Sequence, residues 1–573
     1  MAITKECRQC KSKYTITDDD LVFLDKISPE FAGKKYQIPP PTLCHECRET
    51  RRINWRNDRN LYHRKSDLTG KEIVSIYSPD KTEYKVWENE LWHKQMDPMK
   101  YGREYDFSRP FFEQFDGLLQ AVPRKATGTI RNENSDYSNQ TWKSKNAYLC
   151  FNVGPAEDCY YCNEAWFIKD CMDCFYIKNC ELCYKCFHTT NCNNSQYLEK
   201  CDNCSECYFC YDCIGCHNVV LSTGIRNKQY YIENMPYEKN EWLKKVDEMG
   251  LSKRSNVKKI HEKFQKLKLE AIHKFNENSK CENSTGDYLV ECKDCKDCYF
   301  AHASIGCSRV INVDTNGKDC VDCDFIADAE LSYESTSVAG FANHFCVWQT
   351  YCNNSLYCNF CENSSDCFGC VGLNHKQYFI LNKQYSKEEY ENTVAKIIER
   401  MIGDEEWGKF FPPQICYFAY NESVAQLYYP KTEEEAKKIG AKWLGIDYTM
   451  KFDGEYYEPD DDIGAYKNDE KKREELLAGV LKCETNGRPF KIVPQELAYC
   501  LKHNIPIATV HPDERYLELY KLRNPRKLHH RQCVCEESGH NHSGRCQNEF
   551  KTTYAPDRPE RVYCEDCYQK SVI

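Results

Sequence analysis

The residues in this chain best suited to chemistry are cysteines and histidines at metal-ligand spacing near its two ends. Cys7-x2-Cys10 and Cys44-x2-Cys47 are two CxxC pairs separated by a 33-residue loop. Four thiolates from two such knuckles make a closed tetrahedral zinc site, which leaves no open position and is therefore structural. At the other end Cys564-x2-Cys567 follows Cys546 by seventeen residues, a zinc-ribbon spacing. Ser543 stands where a second CxxC would place its other thiol, so the fourth ligand must come from His542, Cys535, Cys533 or His540. Cys535 is the expected ligand, with His542 as its alternative. The expected cofactor is Zn2+, about two ions per chain. His540-Asn-His542 is the compact histidine pair of the chain, better used as zinc ligand than as catalyst; no Gly-rich phosphate loop, Ser/His/Asp order or HExxH motif accompanies it.

A second kind of chemistry follows the first knuckle. Arg48, Arg51, Arg52, Trp55, Arg56, Arg59 and Tyr62 interleave cations with rings, a composition suited to phosphates and stacked bases of RNA. Arg515, Lys521, Arg523, Arg526, Lys527, His529, His530 and Arg531 repeat it near the C-terminus. The competing reading is that these arginines line a helix face or pair with acidic residues of the chain's own repeat.

The two ends are copies of each other. Ile38-Pro-Pro-Pro-Thr-Leu-Cys44 matches Ile505-Pro-Ile-Ala-Thr-Val-His511, and Arg56-Asn-Asp-Arg-Asn-Leu61 matches Arg523-Asn-Pro-Arg-Lys-Leu528 at the same offset of 467. Each end reads as two small zinc modules in series with complementary losses. Glu88 and Leu91 stand where the N-terminal copy would need Cys564 and Cys567, while Asn486, His511 and Glu514 replace three ligands of the first C-terminal site beside Cys483.

Between the ends lies the repeat that must position these modules. From Cys150 to Cys216 every one of fifteen cysteines falls on a position divisible by three, a period that neither a helix nor a flat strand produces. Small residues point inward and the intervening pairs outward, as a very narrow solenoid requires. Phe151, Phe175, Phe187 and Tyr211 form one aromatic column, and Tyr160, Tyr184 and Tyr208 another, at multiples of twelve, so a coil of about 12 residues is expected. A second copy runs from Cys292 to Cys370, with Cys320 and Cys323 out of phase where an insertion must lie. Both copies end alike, in Asn227-Lys-Gln-Tyr-Tyr-Ile and His375-Lys-Gln-Tyr-Phe-Ile, followed by helical stretches at about 237 to 276 and 386 to 402 read as caps.

Composition sets the context. The chain carries 40 Cys, a net charge of −10 and a mean hydropathy of −0.76, so its core must be local and repetitive. It shows no apolar run of membrane length and no hydrophobic leader, and a cytoplasmic location is expected, where free thiols act as small buried hydrophobes. The rival is an exported, disulfide-stapled protein.

The triplet repeat resembles the narrow β-solenoids of certain antifreeze proteins, though the Thr arrays that meet ice are absent. Pro41-Thr-Leu-Cys-His-Glu-Cys-Arg48, Trp55-Arg-Asn-Asp-Arg59, Leu68-Thr-Gly-Lys71, Tyr77-Ser-Pro-Asp-Lys81, Arg109-Pro-Phe-Phe112 and the Cys triplets resemble a family of uncharacterised bacterial zinc-ribbon, cysteine-repeat proteins, some carrying a CaiB/BaiF label. The resemblance implies structural zinc at Cys7, Cys10, Cys44 and Cys47 and implies no activity. Ser66, Thr69, Glu88 and Leu91 depart from the second CxxC pair it would bring.

The expected fold is mainly β with helical caps: two narrow cysteine-lined β-solenoids flanked by small zinc-ribbon-like modules at both ends. In order these are a zinc module pair (1–95), a connector (96–131), the first solenoid (132–235), a helical cap (236–280), the second solenoid (281–384), a cap (385–403), an acidic and aromatic linker (404–482), a degenerate zinc module (483–532) and a C-terminal zinc ribbon (533–573). The expected function is a non-enzymatic, zinc-binding structural scaffold with a protein or RNA partner, no membrane and no small-molecule substrate. The alternatives are an RNA- or ribosome-associated zinc protein and a thiol-rich metal or redox buffer.

Overall fold

A computed structural model describes residues 2–572. The fold is mainly β, with one parallel sheet of fourteen strands, another of ten, and thirteen α-helices among the described residues. No described helix is long and apolar enough to cross a membrane. Contacts divide the chain into two interleaved units: Met1–Thr127 with Asn276–Ile446, and Gly128–Phe275 with Asp447–Ile573. Each unit therefore joins one terminal module pair to one cysteine-lined ladder, the N-terminal pair to the second ladder and the C-terminal pair to the first.

In the first ladder residue n pairs in parallel with residue n+12: Phe151 with Asn163, Asn163 with Phe175, Phe175 with Phe187, and Cys207 with Val219. The residue before each cysteine takes a left-handed φ near +50°, as in Asp158, Asp170, Asn179, Asn191 and Asn203. The chain thus turns after every triplet. That conformation suits Asn, Asp and Gly and costs other residues about 1–2 kcal/mol, which explains why Asn and Asp recur at this one place. Leu149, Tyr161 and Phe209 adopt it too, and all three pack in an aromatic and aliphatic cluster on the outer surface.

The cysteines point inward and are fully buried from Cys150 to Cys216. Most of these sulfurs also sit near two carbonyl oxygens: Cys174 Sγ is 3.4 Å from both Met172 O and Cys183 O, and Ser195 Oγ is 2.8 Å from Asn193 O in the same register. A thiol here is a small apolar filler that also offers a weak donor to backbone at each corner. Leu has no such donor. Outward, Glu133, Lys145, Glu157, Lys169 and Glu181 pair strand to strand in one column of alternating charge, so neighbouring signs neutralise each other.

The second ladder carries a phase slip with a visible cause. Ile311 pairs with Asp324 and Val313 with Ile326, an offset of 13, while Thr336 pairs with Val347 and Val338 with Gln349, an offset of 11. One residue is gained and then lost, and Cys320 and Cys323 lie on the shifted coil between.

Helices Lys239–Glu248 and Arg254–Glu270 follow the first ladder and pack on it through Trp242 against Tyr230 and Phe264 against Phe209. Helix Lys387–Gly403 follows the second, begun by a capping box of Ser386 and Glu389, with Tyr390, Val394, Ile397 and Ile398 buried on one face. The stretch expected as a linker, 404–482, is a correction. Trp407, Phe410, Phe411, Tyr417 and Phe418 are core residues of the first unit, with Phe411 stacked 4.7 Å from Phe115, and Tyr466 and Leu476 are core residues of the second. Aromatic surface of this size is stable only when covered, and acidity of the segment as a whole hid it.

Candidate metal centres

Four copies of one frame position the metal-ligand chemistry. In each, an antiparallel hairpin supplies one residue just after its first strand and one three residues before its second strand starts, and a helix supplies its N-cap and third residue. Hairpin Ile3–Glu6/Lys13–Ile16 with helix His45–Ile53 presents Cys7, Cys10, Cys44 and Cys47. Hairpin Tyr62–Lys65/Glu72–Ser75 with helix Asn89–Gln95 presents Ser66, Thr69, Glu88 and Leu91. Hairpin Leu481–Lys482/Pro489–Phe490 with helix Pro512–Tyr520 presents Cys483, Asn486, His511 and Glu514. Hairpin His529–Gln532/Glu549–Thr552 with helix Glu565–Ser571 presents Cys533, Cys546, Cys564 and Cys567.

The first and last frames bring four thiols together, their sulfurs within 4.8 Å of one another. In the first, Cys10 Sγ lies 3.5 Å from Cys44 Sγ. The hydrogen bond from Cys47 holds the Cys44 thiol down to about 4, while the reciprocal bond pushes Cys47 up, so Cys44 is the thiolate of the pair and Cys47 its donor. Cys44 and Cys564 are both helix N-caps, where the positive end of the helix favours a thiolate. In the last frame Cys546 Sγ is 3.9 Å from Cys564 Sγ, and the Cys564 sulfur accepts from Asn548 at 3.4 Å. Burial pushes the Cys564 thiol up, but the Asn548 and Cys567 hydrogen bonds outweigh it and hold it below the usual range.

The fourth ligand of this site is a correction. Cys533, not Cys535 or His542, completes it. The knuckle is not damaged at Ser543; twelve residues separate Cys533 from Cys546 where the other frames have two, and they carry Cys535, His540 and His542. The signal that could have found Cys533 is its place directly after a strand, as for Cys7. Cys535, His540 and His542 form a third group that shares Cys567 with the last frame's four thiols.

The two middle frames hold themselves together by hydrogen bonds. Glu88 accepts from the hydroxyls of both Ser66 and Thr69. Cys483 accepts from the His511 backbone N–H at 3.2 Å, and Asn486 donates to Glu514 at 2.8 Å. Polar groups thus link hairpin to helix where thiolates would otherwise do so.

The basic stripe is the second correction. Arg52 and Trp55 are 0% exposed and Arg48 is buried, so none of them reaches a nucleic acid. Arg48 bonds Asp322 at 2.6 Å and Glu334 at 3.0 Å, and Arg52 bonds Asp324 at 2.6 Å. All three acids lie on the phase-shifted coil or its neighbour, and Arg309 adds a second guanidinium on Asp322. Burial alone would raise Asp322, but Arg309, Arg48 and Arg52 hold it well below the usual carboxylate range. Arg56 stacks 3.5 Å from the Phe325 ring and donates to Ser337, Arg51 donates to the Phe410 carbonyl, Tyr62 donates to Glu422, and Arg59 is half-buried. Trp55 sits among Phe410, Phe411 and Tyr417.

The C-terminal copy does the same in its own unit. Arg515, 467 residues after Arg48, bonds Asp173 at 2.8 Å and Glu496 at 3.1 Å, with its guanidinium 4.5 Å from the Tyr161 ring. Arg523, the counterpart of Arg56, lies 4.9 Å from Phe175 and 3.4 Å from Glu164. Asp322 and Asp173 both occupy the left-handed position before a cysteine. Phe151, Phe175, Phe187 and Tyr211 are covered, with Phe175 stacked on Phe187 at 5.7 Å and edge-on to Tyr516 at 5.8 Å.

No family model and no curated protein matches this chain. Among solved structures it is similar to a protein named as an acetyltransferase from Desulfovibrio desulfuricans G20, at 8% identity over 49% of this chain and 81% of that one, with a TM-score of 0.11.

Proposed function

We propose that this protein is a zinc-binding structural and interaction scaffold without catalytic activity, in which two narrow cysteine-lined β-solenoids are each pinned by a terminal module pair of the zinc-ribbon type. The observation that carries the reading is the matched burial of Arg48 and Arg515, each held by a ladder aspartate in its own unit. Burying a guanidinium is costly unless it is paired and hydrogen-bonded, so this device fits a fixed mounting and not a site for incoming substrate. The thiolate tetrads fit Zn2+ by donor type, number and closure. The partner is a protein, because the basic stripe that would have favoured RNA is spent inside the fold.

The ladder thiols support a structural role over metal or redox buffering. They share their buried columns with Ala, Val, Ile and Leu in the same register, which suits interchangeable small fillers and not a ligand array.

The test is metal analysis with thiol counting on protein purified anaerobically under reduction. The reading expects at least about two zinc ions per chain, with ladder thiols reacting only as fast as the fold opens. A load of roughly ten or more ions, taken up by ladder thiols, would overturn it in favour of storage.

A further inference from the structure

The third ligand group has a geometry the scaffold reading does not require. Cys535 Sγ lies 3.2 Å from His540 Nδ1, and Cys567 Sγ lies 3.4 Å from His542 Nε2. The opposite nitrogen of each ring already has a partner. His542 Nδ1 is 2.8 Å from the Gly544 carbonyl oxygen, so it must carry the proton and leaves the Nε2 lone pair aimed at the sulfur. His540 Nε2 is 3.7 Å from the Glu537 carboxylate, leaving Nδ1 toward Cys535. A carbonyl or carboxylate behind each imidazole is how metal-binding histidines are oriented. Nothing else in the inserted loop explains two such rings converging on two thiols.

Coordination arithmetic then decides how the groups relate. Cys533, Cys546, Cys564 and Cys567 form one tetrad and Cys535, His540, His542 and Cys567 the other, seven residues sharing one thiol. Two four-coordinate ions need eight positions, so both can be filled only if one thiolate serves both ions, and Cys567 is the residue common to the two groups. We propose that the C-terminal module binds two zinc ions joined by the Cys567 thiolate, with Cys533, Cys546 and Cys564 completing one site and Cys535, His540 and His542 the other. Sharing lowers the charge as well: five thiolates and two neutral imidazoles around two dications leave a net charge of about −1, against about −2 for an isolated four-thiolate zinc site. The inserted loop is already tied to the following strand and helix by Tyr563 donating to Glu537 at 3.0 Å and Lys570 donating to Asn541 at 2.6 Å; the second ion would add a tie through Cys567.

This inference rests on the zinc-scaffold reading, and metal counting separates the two. The intact chain, purified reduced and anaerobic, should carry three zinc ions, one for each ligand group. The His540→Ala/His542→Ala double variant should carry two, with the two four-thiolate sites retained. Because that variant could disturb the loop, cadmium-113 substitution of the unaltered chain provides the independent measurement: three resonances, two of them split by mutual coupling through the bridging sulfur. Two ions per chain unaffected by the double variant, a third ion that survives it, or three cadmium signals with no coupled pair would each overturn the shared thiolate while leaving the scaffold standing. Fewer than two ions would overturn both.

Discussion

The two terminal module pairs share a frame and differ in which copy keeps its thiols. In the N-terminal pair the first copy holds four cysteines and the second closes on Glu88, Ser66 and Thr69. In the C-terminal pair the first closes through Cys483, Asn486, His511 and Glu514, and the second holds the cysteines. Yet the arginine that anchors each pair to its ladder stands on the same helix of the first copy, Arg48 with thiols at its start and Arg515 without. What docks the module is therefore the guanidinium. The metal ligands, or the hydrogen bonds that replace them, only hold the helix that carries it.

The largest expected effect breaks that symmetry. Chelation should strip protection from the amides of His45–Ile53 while those of Pro512–Tyr520 stay protected, because only the first helix starts at a thiolate tetrad. Structural zinc contributes about 10–16 kcal/mol in small modules, so the difference by hydrogen exchange should be large. Equal loss in both helices would mean that the hydrogen-bonded frame is no substitute.

Next in size are the anchors. Arg48→Ala and Arg515→Ala each remove one partner of a buried ion pair and should cost about 3–5 kcal/mol in denaturant unfolding of the respective unit, less at Arg48, where Arg309 still meets Asp322. A cost below about 1 kcal/mol, as for an exposed pair, would sink the anchoring role.

Acid should act on the two anchors with opposite sign. Asp322 is held below its ordinary range by Arg309, Arg48 and Arg52 against burial, so its contribution is complete above about pH 4 and falls away as pH drops further toward its folded value. Burial, only partly opposed by Arg515 and Tyr161, holds Glu496 above its ordinary range. Its protonation therefore favours the folded state, and this group's contribution to folding should rise as pH is lowered from neutrality toward about 4. Stability against pH for the native chain and for Glu496→Gln would separate the terms: the variant should lose the gain on mild acidification, and retention of the gain would rule Glu496 out as its source.

The smallest effect concerns the ladders. Asn203 and Tyr357 precede cysteines related by the 154-residue offset, and both are left-handed, at φ of 50° and 56°. Asn203 is exposed, so Asn203→Gly should be near neutral and Asn203→Ala should cost about 1 kcal/mol. At Tyr357, packed against Phe111, Phe345 and Phe411, Gly should destabilise by about 3–5 kcal/mol despite the same backbone. Equal responses would show that backbone conformation, and not ring packing, sets the cost at both.

How much of this was legible differs by residue. The three-residue period and the twelve-residue columns were plain, since a parallel repeat writes its register directly into spacing, and the phase slip at Cys320 and Cys323 announced the coil that bulges. Cys533 was missed because an insertion lengthens one knuckle past any fixed motif. For the arginines the sequence leaves nucleic-acid contact, a solvated helix face and pairing with acidic residues of the repeat open, because a charge run looks the same in each place.

The sequence by itself determined the local and periodic features: which residues face inward, where the chain must turn, and the CxxC spacing of Cys7, Cys10, Cys44 and Cys47, because each depends on neighbours at short or constant separation. Only the tertiary structure decided which module mounts on which ladder, that Arg48 and Arg515 are buried, that a supposed linker supplies aromatic core, and that Cys567 stands in two ligand groups. Those depend on pairings across hundreds of residues, such as Arg515 with Asp173 and Arg48 with Asp322. A buried guanidinium is stable only where a distant acid has been brought to meet it, and no local pattern records where that acid lies.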